Sequence, residues 1–284
     1  MTREIQNSPN LLIIGPPKSG TTFLFQILRM HPDICASIIK ETRYFSPILR
    51  NETIRSFDNY LKYFKHYNNE RVIMEATPGY FYGGENMATK IKEILGEIKI
   101  LIVLREPSER LFSSFKHKKR FNNISENQTL LQFSENKNNF RKQLYHKHLP
   151  GWIDTYGDCV KILFFEDIIK NPVEISLEVF SWLGIKQIRI DQDKLVNTNK
   201  NMSIRSHSFH KVALPIFELI RSSLPFELRT IIRKVYFKIN GKPSRWHTKN
   251  RDLKYLRELF AKENQKTRDI LKNIGYVDLP EWLE

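Results

Sequence analysis

Leu11 to Pro32, LLIIGPPKSGTTFLFQILRMHP, restricts what this chain can fold into more than any other stretch. Four apolar residues run into a turn bounded by Gly15 and Gly20, and a helix-like segment follows at once. That order predicts a buried strand, a tight loop and a helix whose free amides and positive dipole end point into the loop. Such a loop suits a phosphate. A Walker A loop reads G-x-x-x-x-G-K-[ST], with its lysine directly after the second glycine. Here the glycine spacing matches, but Thr21 follows the second glycine and Lys18 stands two residues before it. Pro16 and Pro17 stiffen the turn, and Thr21 and Thr22 add hydroxyl donors.

Apolar runs recur at Ile34–Ile39, Arg71–Met74, Ile98–Leu104 and Val160–Phe165, each followed by a helical pattern. Continuous rather than alternating hydrophobicity marks strands buried on both faces. The expected fold is α/β: a P-loop-like central parallel sheet flanked by helices, with a helical basic C-terminal region. A length of 284 residues fits one domain, 1–284, with a core over 10–200 and the basic region over 201–284. The asparagine-rich stretch from Arg120 to Phe140 reads as a surface excursion between helices.

There are 46 Lys+Arg against 31 Asp+Glu, a net charge of +15. Something anionic is therefore the expected partner, whether nucleotide, acidic glycan, nucleic acid or lipid. Cys35 and Cys159 have neither metal-ligand nor disulfide spacing and read as buried free thiols. The polar start MTREIQNSPN leads directly into a strand, and no run of 18 apolar residues follows. With no signal peptide or transmembrane segment in view, the expectation is a soluble, cytoplasmic chain.

Charged residues collect where strands end: Lys18, Lys40-Glu41, Glu75, Arg105 and Glu166-Asp167. Ligands of open parallel sheets bind outside these carboxyl ends. Mg-ATP fits poorly, because the strand IKILIVLREPSER ends in Arg105 where a metal-holding aspartate would be expected. Ser113 lies eight residues after Arg105 on the next helix, and the two suit a second phosphate. Glu41, just past the second strand, should face Lys18 across the sheet edge, as a general base would.

PPKSGTT together with LREPSERLFSSF resembles the two nucleotide-binding motifs of sulfotransferases that use 3′-phosphoadenosine-5′-phosphosulfate (PAPS). KETRYFS is similar to the K-E-x-H-F-F segment of the glycan sulfotransferases, and MEATPGYF to their E-K-T-P-x-Y-F. LYHKHLPGW and ILFFEDIIKNP follow two further family patterns, so the likeness spans roughly residues 10–185. Heparan-sulfate-type and related bacterial enzymes are the nearest match in motif. The resemblance implies PAPS as co-substrate with no metal. It implies that Pro17, Lys18, Ser19, Gly20, Thr21 and Thr22 hold the 5′-phosphosulfate, and that Arg105 and Ser113 hold the 3′-phosphate. Lys18 would stabilise the leaving phosphate and Glu41 would act as base. Lys40 and Arg43 would contact a carbohydrate or glycolipid acceptor, at its hydroxyl or amine. Two departures bear on the acceptor: Arg43 replaces the family histidine and Ala76 the family lysine.

From Lys200 onward there are 18 Lys+Arg against 9 Asp+Glu. NTNKNMSIRSHSFHK resembles the family segment that closes over the nucleotide, with Arg205, backed by Ser203, as a 3′-phosphate contact. Val212–Gly241 mixes large apolar residues with cations, either as helices packed on the core or as a peripheral membrane contact. Leu253, Leu256, Leu259, Phe260 and Ile270 have helical spacing, and Gly275 suits the stop. His66, His117, His146, His148, His207 and His210 form no recognisable triad and read as surface or packing residues. A P-loop kinase or NTPase using ATP-Mg stays open as the enzyme alternative. A basic nucleic-acid-binding protein rests on charge alone, without a zinc spacing or RNA-binding motif to support it.

Overall fold

The computed structural model describes residues 7–121, 123–125, 127–191, 202–204, 224, 226–243 and 250–284. In chain order the elements are β1 (Leu11–Ile14), α1 (Thr21–Leu28), β2 (Ile34–Ala36), α2 (Phe57–Leu61), β3 (Val72–Ala76), α3 (Gly84–Leu95), β4 (Lys99–Leu104) and α4 (Pro107–Arg120). Then come α5 (Leu130–Glu135), α6 (Lys137–Arg141), α7 (Leu149–Tyr156), β5 (Val160–Phe164), α8 (Phe165–Lys170) and α9 (Pro172–Leu183). β6 (Met202–Ile204), α10 (Phe226–Asn240), β7 (Gly241–Pro243) and α11 (Asn250–Asn273) complete the described chain.

The first five strands form one parallel sheet in the order β2-β3-β1-β4-β5. Successive strand residues point to opposite faces, and the burial divides accordingly. Leu12, Ile14, Ile100 and Ile102 join Met87, Ile91 and Trp152 of α3 and α7 in one core. Leu11, Ile13, Leu101 and Val103 join Leu24, Phe25, Val179 and Phe180 of α1 and α9 in the other. Helices cover both faces, which is why these strands are mostly apolar. The expected sheet and flanking helices are present, and β1 sits at its centre with its loop opening at the carboxyl edge.

Three expectations change. β2 stops at Ala36 rather than Ile39: the Ser37 amide still reaches Met74 of β3, but the Ile38 amide turns away to the Tyr63 carbonyl. Glu75 does not follow β3 but lies inside it, with no exposed surface. The stretch 120–140 is not all excursion: Thr129 and Gln132 form a reciprocal capping box that starts α5. Leu130 and Phe133 then pack on Phe112 and Phe115 of α4 and on Leu256 and Phe260 of α11. The C-terminal helix forms as its spacing requires, and Gly275 adopts φ +91° just beyond it. Cys35 is buried and Cys159 half-buried, both as free thiols, and burial pushes the Cys35 thiol up to about 12.

Candidate functional site

The loop between β1 and α1 has the shape its sequence demands. Gly15 has φ +137° and Gly20 φ +90°, conformations that favour glycine. A methyl group on Gly15 would collide with the Val103 carbonyl, and one on Gly20 with the Phe165 ring. The first helical bonds run from the Phe23 and Leu24 amides to the Gly20 carbonyl. The Thr21 and Thr22 amides therefore stand ahead of the helical ladder, at the positive end of α1. Thr21 is buried and Thr22 exposed. Ser19 is fully buried, yet its Oγ has no hydrogen-bond partner. An orphaned hydroxyl in a glycine-bounded loop fits a ligand oxygen.

Arg105 leaves β4 and leans on this loop. Its Nη1 donates to the Lys18 carbonyl at 3.2 Å, and its guanidinium lies 4.3 Å from the centre of the Phe165 ring. Its Nε is buried without a partner. Burial lowers its pKa, against the pull of Glu109 and Glu166, so a nearby anion would relieve a partly desolvated cation. Ser113 is half-buried on α4. Of the predicted nucleotide contacts, Pro17 and Lys18 line the neighbouring cleft, while Arg105 reaches the same loop through the Lys18 carbonyl. Arg205 lies outside the described residues.

That cleft has a volume of about 560 Å³ and brings Pro17 and Lys18 together with Glu41 and Arg43. Glu41 Oε1 accepts from Lys40 Nζ at 3.1 Å, and Oε2 from Arg43 Nη2 at 3.1 Å. Burial pushes the Glu41 carboxyl up, but Lys40 and Arg43 outweigh it and hold the group below its usual range. Lys18, Glu41 and Arg43 have φ values of 78°, 65° and 57°. Left-handed backbone at three non-glycine residues lining one cleft is strain of the kind that gathers at functional sites.

Residues 8–214 match the sulfotransferase domain family. This chain belongs to the sulfotransferase family. Human heparan sulfate glucosamine 3-O-sulfotransferase 3B1 is 28% identical over 206 residues, covering 68% of this chain and 50% of the relative. The membrane-associated sulfotransferase kil1 of Dictyostelium discoideum is 36% identical over 110 residues, 38% of this chain and 22% of the relative. The chain thus spans between about a fifth and a half of these relatives' lengths. A crystal structure of a sulfotransferase from Alicyclobacillus acidocaldarius superimposes with a TM-score of 0.67 at 21% identity, covering 98% of this chain and 99% of that one. That likeness establishes the fold.

The candidate site also contains groups that motif reading passes over. Arg110 of α4 is 1% exposed and lines the cleft. It donates to the Pro17 carbonyl (3.0 Å), the Tyr82 hydroxyl (3.0 Å), the Lys142 carbonyl (2.6 Å) and Gln143 Oε1. Glu106 caps α4, accepting from the Ser108 and Glu109 amides, and its own amide donates to Glu166 Oε1. Farther along the cleft lie Lys118, Lys142 and the exposed His117, for which the sequence suggests only a surface or packing role. Spacing offers one clue, since Arg110, Ser114 and His117 fall at helical intervals from one another along α4. Among the described residues, no three His, Cys, Asp or Glu side chains cluster to hold a metal.

Proposed function

We propose that this protein transfers a sulfuryl group from PAPS to a hydroxyl or amine of a carbohydrate-containing acceptor. The observation that carries the reading is the shared cleft, in which the displaced lysine of a phosphate loop meets a strained glutamate. When bound, PAPS supplies the sulfuryl group and departs as the bisphosphate. Pro17 to Thr22 would hold its 5′ end, with Ser19 Oγ taking an otherwise missing partner, and Arg105 and Ser113 its 3′-phosphate. Lys18 would stabilise negative charge on the departing phosphate oxygen.

Glu41 would take the acceptor proton. Arg43 is 66% exposed and can move aside, so an acceptor hydroxyl could replace it at Oε2 while Lys40 keeps Oε1 in place. The new O–S bond then forms as the S–O bond to phosphate breaks, and the hydroxyl proton passes to Oε2. Arg43 would next be free to contact the acceptor. Lys118 and Lys142, which line the same cleft, have no carboxylate partner among the described residues, which suits a carbohydrate bearing acidic groups. The heparan sulfate relative agrees with this choice.

A thermal-shift titration with adenosine 3′,5′-bisphosphate, beside ATP-Mg, tests the reading. Stabilisation by the bisphosphate alone, with Glu41→Gln still binding it but unable to turn over, is the expected result. Stabilisation by ATP-Mg alone would mean a kinase, and an active Glu41→Gln would remove the base.

A second observation concerns α10. Leu228, Ile231, Ile232, Val235 and Ile239 form one helical stripe and are all exposed. The same helix contains Arg229, Arg233, Lys234 and Lys238 against the single acid Glu227. We propose that this stripe rests on an anionic lipid surface. Residues 212–223 of the predicted contact lie outside the described residues. The Dictyostelium relative is by name a membrane-associated enzyme, whereas among the described residues no helix is long and apolar enough to cross a bilayer. Vesicles containing phosphatidylglycerol should sediment the wild type but not Val235→Glu/Ile239→Glu. Equal sedimentation of both, or of neither, would refute a lipid contact.

A further inference from the structure

Glu75 has no part in the chemistry above, yet it is completely enclosed directly behind the base. Residue 76, where the family motif has lysine, is a buried alanine. Hydroxyl groups surround the Glu75 carboxylate. Oε1 accepts from Thr42 Oγ1 at 2.8 Å and from Thr77 Oγ1, and Oε2 accepts from the Tyr60 hydroxyl at 2.6 Å. Tyr80 also interacts with it through its hydroxyl. Burial pushes the carboxyl above its usual range, and these hydroxyls offset only part of that rise.

Thr42 and Thr77 both donate to Glu75 Oε1, so their hydroxyl protons are committed and their lone pairs face the next loop. Thr77 Oγ1 accepts from the Arg43 amide (3.3 Å), and Thr42 Oγ1 from the Tyr44 amide (3.4 Å). The Phe45 amide donates to the Tyr80 hydroxyl at 3.1 Å, and the Glu41 amide to the Ala76 carbonyl at 2.8 Å. Residues 41, 42 and 43 are thus tied directly to residues 75–77, Tyr44 is tied to them through Thr42, and Phe45 is tied to Tyr80 in the turn that follows β3. This segment contains Glu41 and Arg43, whose left-handed backbone persists only under such restraint.

We propose that Glu75 is a positioning residue for sulfuryl transfer, acting through Thr42 and Thr77 to hold segment 41–43 in the strained form that presents Glu41 to the cleft. The inference rests on Glu41 as the base. It adds a buried acid, remote from the acceptor, on which the orientation of that base depends.

Thr42→Val cuts the link at nearly constant volume, and Thr42→Ser keeps it. In Thr42→Val, kcat should fall by about tenfold or more, because a small misplacement of a reacting group is costly. Acceptor KM should stay within about twofold, the pattern of a loss confined to the transition state. Affinity for adenosine 3′,5′-bisphosphate should not change. The acidic limb of the pH–rate profile should move upward, since Glu41 would slip from Lys40 and Arg43, the cations that hold it below its usual value. Lys18, on the phosphate loop in the same cleft, would be left in place.

Thr42→Ser should recover most of the rate. Glu75→Gln, which keeps the size and one acceptor oxygen, should move kcat and the limb in the same direction by less, and it serves if Thr42→Val does not fold. Wild-type kcat and an unmoved limb in Thr42→Val and Glu75→Gln would overturn the proposal. So would a Thr42→Ser variant as slow as Thr42→Val, which would implicate packing rather than the hydroxyl. An inactive Glu41→Gln alongside an unaffected Thr42→Val would defeat only the positioning role. An active Glu41→Gln would defeat the base assignment itself.

Discussion

Replacing Arg110 with methionine tests whether this buried arginine holds the phosphate loop. Arg110 is a buried cation with no carboxylate partner among the described residues, and its four acceptors are neutral. Methionine fills the space of the side-chain stem and removes every donor. The carbonyls of Pro17 and Lys142 belong to exposed residues and can regain water. Gln143 is 3% exposed and the Tyr82 hydroxyl faces the same interior, so these two lose their partner outright. A stranded buried polar group costs about 1–3 kcal/mol, offset in part by no longer burying a charge, for a net loss of roughly 2–4 kcal/mol. At about 2–4 °C per kcal/mol for a domain of this size, the melting temperature should fall by roughly 8 °C. The bond to Pro17 also ties α4 to the loop. Losing a bond from a charged donor there, worth about 1.5–3 kcal/mol, should weaken adenosine 3′,5′-bisphosphate binding by about tenfold or more. Differential scanning fluorimetry reads the first effect, and isothermal titration with the bisphosphate reads the second. Arg110→Lys, with three donors for four acceptors, should fall between wild type and methionine. A methionine variant that melts within about 2 °C of wild type and binds the bisphosphate equally well would refute a structural tie between α4 and the loop.

Gly20→Ala should impair nucleotide binding more than global stability. The left-handed φ alone costs an L-residue about 1–2 kcal/mol, and the new methyl group must displace Phe165, on whose ring Arg105 lies. A bisphosphate affinity within about twofold of wild type would refute that coupling. His148 should make the fold sensitive to acid. Burial foremost, with help from His146, Lys147 and Arg110, lowers its pKa to about 4, against an ordinary value of 6.5. As pH falls the unfolded chain therefore takes up the proton first. The stability contributed by neutral His148 is full above about pH 6.5 and lost progressively toward pH 4. His148→Gln should flatten the melting temperature between those limits, and an identical slope in both proteins would refute the assignment.

The phosphate loop was legible because its determinants are contiguous: the glycines that need positive φ, the lysine and the helix start all lie within residues 15–22. The sheet was legible for a related reason. Strands buried on both faces are mostly apolar, so β1, β3, β4 and β5 lie within two residues of where their runs predict. Glu41 was expected just past β2, but that strand stops at Ala36, and the strained backbone of Glu41 was not legible, since the bonds that hold its segment come from residues 75–80. Arg110 was hidden more thoroughly. On a helix that also carries Glu109, Lys116 and Lys118 it looks like one more solvated charge, and its acceptors lie 28 to 93 residues away. Glu75 was hidden by its neighbours' chemistry. A carboxylate closing an apolar run reads as the first residue back in water, unless three hydroxyls at positions 42, 60 and 77 are known to meet it. Threonine and tyrosine give little warning of this, because their hydroxyls serve equally well in a turn or a core. The hydroxyls that meet Glu75 are arranged so that the remaining lone pairs of Thr42 and Thr77 receive backbone amides of the segment that carries Glu41.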